Sequence, residues 1–219
     1  MHLRQIEKDI PKELFQILSS EYTTLRPAQE KSLKKGLLAG KSMLICTPTA
    51  SGKTLIAELA ALKSIMNREG KAIYIVPLKA LATEKFKDFK KRYGEFIKVG
   101  LSIGDLDAKD PYLAEYDLIV ATSEKLDSLI RHRSPWISEV GVVVVDEIHL
   151  MNDPSRGPTL EILITILRQL LKDVQIVALS ATIGNPKELA EWLNAELVED
   201  DWRPVKLYKG VSFGGSVEF

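Results

Sequence analysis

KSMLICTPTASGKTLIAE, residues 41–58, is the stretch whose reading decides the fold. Residues 42–46 are an apolar run of strand length, residues 48–52 have turn composition, and Lys53 onward reads as a helix. A strand, a loop and a helix in that order are what a phosphate-binding loop requires. Successive backbone N–H groups and the positive end of the new helix converge there on an anion. Thr49, Ala50, Ser51 and Gly52 form the loop, and Gly52 lets the backbone approach a phosphate oxygen where a Cβ would intrude. Lys53 puts a point charge between the β- and γ-phosphates, and the Thr54 hydroxyl suits a Mg²⁺ ion. The strict pattern begins with Gly, and this chain has Thr47. Taken alone, Gly-Lys-Thr also fits an ordinary loop with a surface lysine.

Outward from this stretch the pattern alternates. Apolar runs at residues 72–76, 99–103, 118–121, 142–145 and 176–179 are separated by helical or irregular segments. They are near-continuous Val/Ile/Leu runs, as in strands buried on both faces. With residues 42–46 they make six strands, which predicts an α/β, doubly wound, mainly parallel sheet with helices on both faces. In such sheets ligands lie beyond the carboxyl ends of the strands. Upstream, residues 1–25 read as a helical lead-in, with Pro11 in the first turn of one helix. Arg26-Pro27 opens another helix running to about Leu38 and stopped by Gly40. The helix from Lys53 is expected to reach Arg68. The main domain is expected over residues 26–200, with a short strand pair after Trp192 and an exit over 201–219.

Composition bounds the setting. Thirty basic residues balance thirty acidic ones, so any surface for nucleic acid must be local rather than a property of net charge. The one cysteine, Cys46, lies in an apolar strand and reads as a small buried hydrophobe, which excludes a disulfide or cysteine–zinc framework. No apolar run approaches a membrane span, and the charged N-terminus lacks a signal-peptide core, so an intracellular protein with no membrane partner is expected. Asn and Gln together number nine, which leans toward a thermophilic source.

Two further strand ends carry chemistry. Residues 142–145 deliver Asp146 and Glu147, followed by Ile148 and His149. Beside a phosphate loop, Asp146 can hold Mg²⁺ and Glu147 can polarise a water that attacks the γ-phosphate. Alone, the pair equally suits a solvated strand end. Ser180-Ala181-Thr182 follows the strand at 176–179, and its two hydroxyls can bond the acids and relay the state of the γ-phosphate.

Residues 47–54, 146–149 and 180–182 resemble, in order and spacing, motifs I, II and III of the superfamily-two helicases. The forms TPTASGKT and DEIH resemble the Ski-like branch. RPAQEKSLKKGLLAGK, RGPTLE and DWRPVKLYKGV are similar to the archaeal Hjm-type DNA repair helicases. The resemblance covers residues 20–211 and implies a RecA-like P-loop domain that uses ATP and Mg²⁺. It implies that Gln29 reads the adenine edge, offering the donor and acceptor that adenine needs. It also implies that Thr54 and Asp146 hold the metal and that Lys53, Asp146 and Glu147 are catalytic, with His149, Ser180 and Thr182 coupling. Pro77, Leu78 and Lys79, then Gly104 and Asp105, then Thr122 and Ser123 correspond to motifs that grip the sugar–phosphate backbone of a single strand. Lys85, Lys87, Lys90, Lys91 and Arg92 form a basic run nearby, which suits either a solvated helix face or a nucleic-acid contact.

The implied activity is that of an ATP-dependent 3′-to-5′ DNA helicase in repair or fork restart, acting as a monomer on single-stranded or forked DNA. An RNA helicase of the same branch and a nucleotide-sensing binding module remain alternatives. A P-loop kinase leaves the Ser-Ala-Thr triplet without a role. The family's motor also needs a second RecA-like domain with motifs IV to VI and accessory domains. Nothing after Thr182 resembles those motifs. The 219-residue chain is therefore expected to bind ATP–Mg²⁺ weakly, to hydrolyse it slowly and to unwind nothing alone.

Overall fold

The computed structural model describes residues 1–104, 110–205, 210–213 and 216–218. Two helices, α1 (Lys12–Glu21) and α2 (Pro27–Lys34), lead into strand β1 (Met43–Cys46). Then follow α3 (Lys53–Met66), β2 (Lys71–Val76), α4 (Lys79–Tyr93), β3 (Val99–Ser102), β4 (Leu118–Thr122) and α5 (Ser123–Arg131). The alternation continues through β5 (Val140–Val145), α6 (Gly157–Leu170), β6 (Gln175–Ser180), α7 (Pro186–Leu193) and β7 (Glu196–Glu199). An antiparallel pair, β8 (Val211–Phe213) and β9 (Ser216–Glu218), comes last.

Seven strands form one sheet in the order β3-β4-β2-β5-β6-β1-β7, and every neighbouring pair is parallel. All their carboxyl ends therefore meet along one edge. Successive side chains of a strand point to opposite faces, and here both faces are covered. Met43 and Ile45 join one core with Leu55, Leu59, Tyr74 and Val144. Leu44 and Cys46 join the other with Ile73, Val143, Leu126 and Leu163. That two-sided burial is why the strands read as unbroken apolar runs. The helical lead-in is part of the first core: Leu3, Ile6, Leu14 and Leu18 are buried with Met43 and Ile45.

Three expectations need correction. The helix opened by Arg26-Pro27 ends at Lys34, because Gly36 takes φ +99 and turns the chain out of the helix, leaving Leu37–Ala39 as a separate 3₁₀ turn. The helix from Lys53 ends at Met66 rather than Arg68, whose φ of +60 is left-handed. Where a strand pair is expected after Trp192, the described residues up to 205 hold one strand. β7 adds to the sheet edge in parallel with β1, and the antiparallel pair lies in what reads as the exit. β7 escapes sequence reading because it is short and charged at both ends, as edge strands often are.

Cys46 is buried at the end of β1, and burial pushes its thiol up to about 11, so little thiolate exists near neutrality. Native protein at pH 8 is expected to react with a thiol-specific probe far more slowly than protein unfolded in guanidinium. Equal rates would show that the strand end is open.

Candidate functional site

The phosphate loop leaves the carboxyl end of β1 and is closed by its own side chains. Thr47 is fully buried, and its hydroxyl shares a 2.7 Å hydrogen bond with the Ser51 hydroxyl. That bond explains a threonine where the strict pattern has glycine: it fastens the two ends of the loop. Thr49 and Ala50 are exposed at the tip, Ala50 with φ +65. Gly52 takes φ +91, and a Cβ there would come 2.6 Å from the Gln29 amide nitrogen. No other residue fits that position without strain. α3 starts directly after it, with no side chain capping its first amides. Those amides are donors for an anion. The Lys53 ammonium donates to the carbonyls of Ser180, at 2.8 Å, and Thr47, at 3.3 Å. The loop lysine is thus joined directly to the end of β6.

Asp146 and Glu147 stand at the end of β5, two strands from β1. Both Asp146 oxygens are held: Oδ2 accepts from the Tyr74 hydroxyl at 3.0 Å and Oδ1 from the Glu147 amide at 3.0 Å. Burial, with Asp146 beside it, pushes the Tyr74 phenol well above its usual range, so the hydroxyl stays protonated and donates. Glu147 has φ +52, a left-handed turn that carries the chain into a 3₁₀ turn over Ile148–Asn152. Among the described residues no hydrogen bond joins the Ser180 or Thr182 hydroxyl to the acids. Ser180 is fully buried with its hydroxyl unpaired among the described residues, and Thr182 is exposed. His149, expected beside them as a coupling residue, lies between the ends of β5 and β6. Its Nδ1 lies 3.3 Å from the Glu147 carboxylate and 3.4 Å from the Ala181 amide. One ring nitrogen cannot donate to the first and accept from the second together, so the ring must choose between them.

Gln29 is buried in the first turn of α2. Its Oε1 accepts from the Arg26 amide at 2.8 Å and its Nε2 donates to the Gly52 carbonyl at 3.0 Å. One amide hydrogen and one oxygen lone pair remain for a ligand. Arg26, which the sequence reading passed over, donates to the Ala50 carbonyl at 2.6 Å, and its guanidinium lies over the Trp202 ring at 5.3 Å. An open cavity of about 520 Å³ runs from Gln29 and Gly52 past Tyr22 and Thr54 to Lys85 and Arg92. Lys85 belongs to this cavity rather than to an outer basic face: its ammonium donates to the Thr54 hydroxyl at 3.3 Å and stands 5.9 Å from the Tyr74 ring centre. Lys87, Lys90 and Lys91 are exposed.

The other strand ends continue along the same edge. Leu78 and Lys79 are exposed at the start of α4, Pro77 is half-buried, and no side chain caps the helix there. Gly104 takes φ +100, and among the described residues nothing lies within 4 Å of where a Cβ would sit, while Asp105 lies outside them. Thr122 and Ser123 are buried, the Thr122 hydroxyl accepting from the Lys125 amide as the cap of α5. Thr122 is 4% and Ser123 5% exposed. Of the tryptophans, Trp136 is buried and Trp192 half-buried.

The donor set fits a nucleotide with Mg²⁺. Among the described residues no cluster of three or more His, Cys, Asp or Glu side chains can enclose a metal. Mg²⁺ beside a phosphate needs none, because it takes one or two protein ligands and completes its shell from phosphate and water. The Thr54 hydroxyl and the Asp146 carboxylate are oxygen groups of the kind such an ion takes.

A parallel sheet with a glycine-hinged loop after one strand and paired acids two strands away defines a RecA-like P-loop domain. Comparison with known proteins narrows this class. The DEAD/DEAH box helicase model matches residues 26–189, and the chain belongs to that family. Over 193 residues it is 56% identical to the ATP-dependent DNA helicase Hel308 of Pyrococcus horikoshii, a match covering 88% of this chain and 27% of that protein. Against the Hel308 of Methanocaldococcus jannaschii it is 56% identical over 202 residues, covering 89% of this chain and 17% of the other. Among solved structures, the DUF1998 helicase MrfA bound to DNA superposes with a TM-score of 0.76 at 27% identity, over 89% of this chain and 30% of that one. The chain thus spans about a quarter of the length of the Pyrococcus relative.

Proposed function

We propose that this chain is the first, ATP-binding motor domain of a 3′-to-5′ DNA helicase acting in DNA repair or fork restart. The observation that carries the reading is the Lys53 ammonium bonded to the Ser180 carbonyl at 2.8 Å, which joins the phosphate loop to the end of β6, where the next residue, Ala181, meets His149. ATP with Mg²⁺ would supply the phosphoryl group whose hydrolysis drives movement. Gln29 would fix the adenine edge through its spare donor and acceptor, with Tyr22 and Arg26 as walls of the cavity. The loop amides and Lys53 would hold the β- and γ-phosphates, Lys53 turning from its two carbonyls. Thr54 and Asp146 would hold the cation, and Glu147 would orient and polarise the attacking water. His149, touching both Glu147 and the Ala181 amide, would carry the state of the site to β6.

On the nucleic-acid edge, the uncapped start of α4 at Leu78 and Lys79 would grip phosphates. The Hel308 relatives and the DNA-bound MrfA support DNA over RNA. The test is fluorescence anisotropy of labelled single-stranded DNA and RNA of one sequence, with Lys79→Glu as the control. Salt-sensitive DNA binding, several-fold tighter than RNA binding and weakened in Lys79→Glu, is the expected result. Tighter RNA binding would favour the RNA helicase reading. Equal binding by Lys79→Glu would remove the proposed edge.

A further inference from the structure

We infer that Tyr74 is a positioning residue that presets the Asp146 carboxylate for a divalent cation. The inference rests on the reading of Thr54 and Asp146 as the cation ligands. Tyr74 sits on β2 directly beside Val144 of β5, in parallel register. Val144 and Asp146 point to the same face of β5, so the Tyr74 ring extends along that face and ends at Asp146. The backbone holds the same junction, since the Asp146 amide donates to the Ile75 carbonyl at 2.9 Å.

β2 is otherwise built from aliphatic residues after its first position, KAIYIV. A phenylalanine would fill the same space and make the same edge-on contact with Phe89, whose ring centre is 5.1 Å away. The hydroxyl is the part that packing does not require. A buried phenol needs a partner, and here the partner is the acid at the strand end. With the Glu147 amide on Oδ1, the Tyr74 hydroxyl on Oδ2 leaves the carboxylate one orientation. Each held oxygen keeps a lone pair for a cation or a metal-bound water. The same ring also faces the Lys85 ammonium, which donates to the Thr54 hydroxyl. Tyr74 therefore touches one proposed cation ligand directly and the other through a single side chain. Hydrogen-bond partners of this kind typically change metal affinity by about 10- to 100-fold.

Tyr74→Phe keeps the ring and deletes the bond. The readout is the binding of a fluorescent ATP analogue at fixed concentration, titrated with Mg²⁺ and repeated in EDTA, beside thermal melting. In Tyr74→Phe the Mg²⁺ concentration at half-saturation is expected to rise about tenfold. Affinity in EDTA and the melting temperature should stay close to those of the unsubstituted chain. In an Asp146→Ala background the same change should add nothing, because the acceptor of the Tyr74 hydroxyl is gone. An unchanged Mg²⁺ midpoint in Tyr74→Phe, with normal Mg²⁺ dependence in the unsubstituted chain, overturns the inference and leaves the nucleotide-site reading intact. Weaker binding in EDTA with a lowered melting temperature assigns Tyr74 to packing and also overturns it. If the unsubstituted chain binds the analogue equally with Mg²⁺ and in EDTA, the cation-site reading falls and the inference falls with it.

Discussion

Lys53→Ala is expected to weaken ATP binding by roughly 10- to 100-fold, the loss of hydrogen bonds to a charged group at about 1.5–3 kcal/mol. The substitution removes the ammonium that the loop and the end of β6 hold in place at 2.8 and 3.3 Å. The unsubstituted 219-residue chain should bind ATP yet turn it over near background, with or without single-stranded DNA. In the family pattern an arginine from a second motor domain stabilises charge on the transferring phosphate, and such an arginine is worth about 10³–10⁵ in rate. Equilibrium binding of a fluorescent ATP analogue, together with phosphate release, checks both halves. Binding lost in Lys53→Ala with silent turnover supports a motor domain that needs a partner domain. Robust DNA-stimulated turnover, lost in Lys53→Ala, would instead require the chain to complete its own site. Self-association with an arginine supplied in trans would then be the explanation.

Arg92→Ala should cost roughly 3 kcal/mol of stability, the expected penalty for stranding a buried charge. Glu58, one turn beyond Thr54 on α3, is 6% exposed. Its two oxygens accept from Arg92 Nη1 at 2.8 and 2.9 Å, and Oε2 also accepts from the Tyr93 hydroxyl at 2.9 Å. The other side of the guanidinium reaches Glu21 at the end of α1, at 2.8 and 3.3 Å. Arg92 therefore ties the lead-in helix, the P-loop helix and α4 at one point. For a domain of this size the loss corresponds to a fall in melting temperature of about 6–12 °C. Glu58→Gln in the Arg92→Ala background should recover part of it by removing the stranded charge. A change under about 1 kcal/mol in Arg92→Ala would show that water enters and solvates Glu58. Arg92→Lys should fall between, since an ammonium cannot span both oxygens of Glu58 and reach Glu21.

Much of the site was legible because its chemistry is local. Residues 47–54 declare a phosphate loop by composition, since only glycine accepts the Gly52 backbone and only a flexible cation serves at Lys53. Asp146 and Glu147 declare themselves as two acids after four valines. Groups that act across the sheet were not legible. Lys85 read as one of five basic residues on a helix, and nothing in its neighbours tells that it turns inward to Thr54. Tyr74 left a faint trace as the one aromatic in an aliphatic strand. Arg26 read only as the residue before Pro27, yet it braces the tip of the loop at Ala50, twenty-four residues away.

By itself the sequence determined the class of fold, the order of the strands along the chain and the identity of the loop and acid residues. Periodicity and turn chemistry act over a few residues, and those features need no more. Tertiary structure alone decided which strands are neighbours. The order β3-β4-β2-β5-β6-β1-β7 brings residues 47, 146 and 180 to one edge from positions more than 130 residues apart. It also decided that Thr122 and Ser123 lie buried, that β7 joins the sheet and that His149 links Glu147 to Ala181. Each of these is a contact between side chains or strands far apart in sequence. Their geometry is set by how two cores pack on a twisted sheet, and no single segment carries that information.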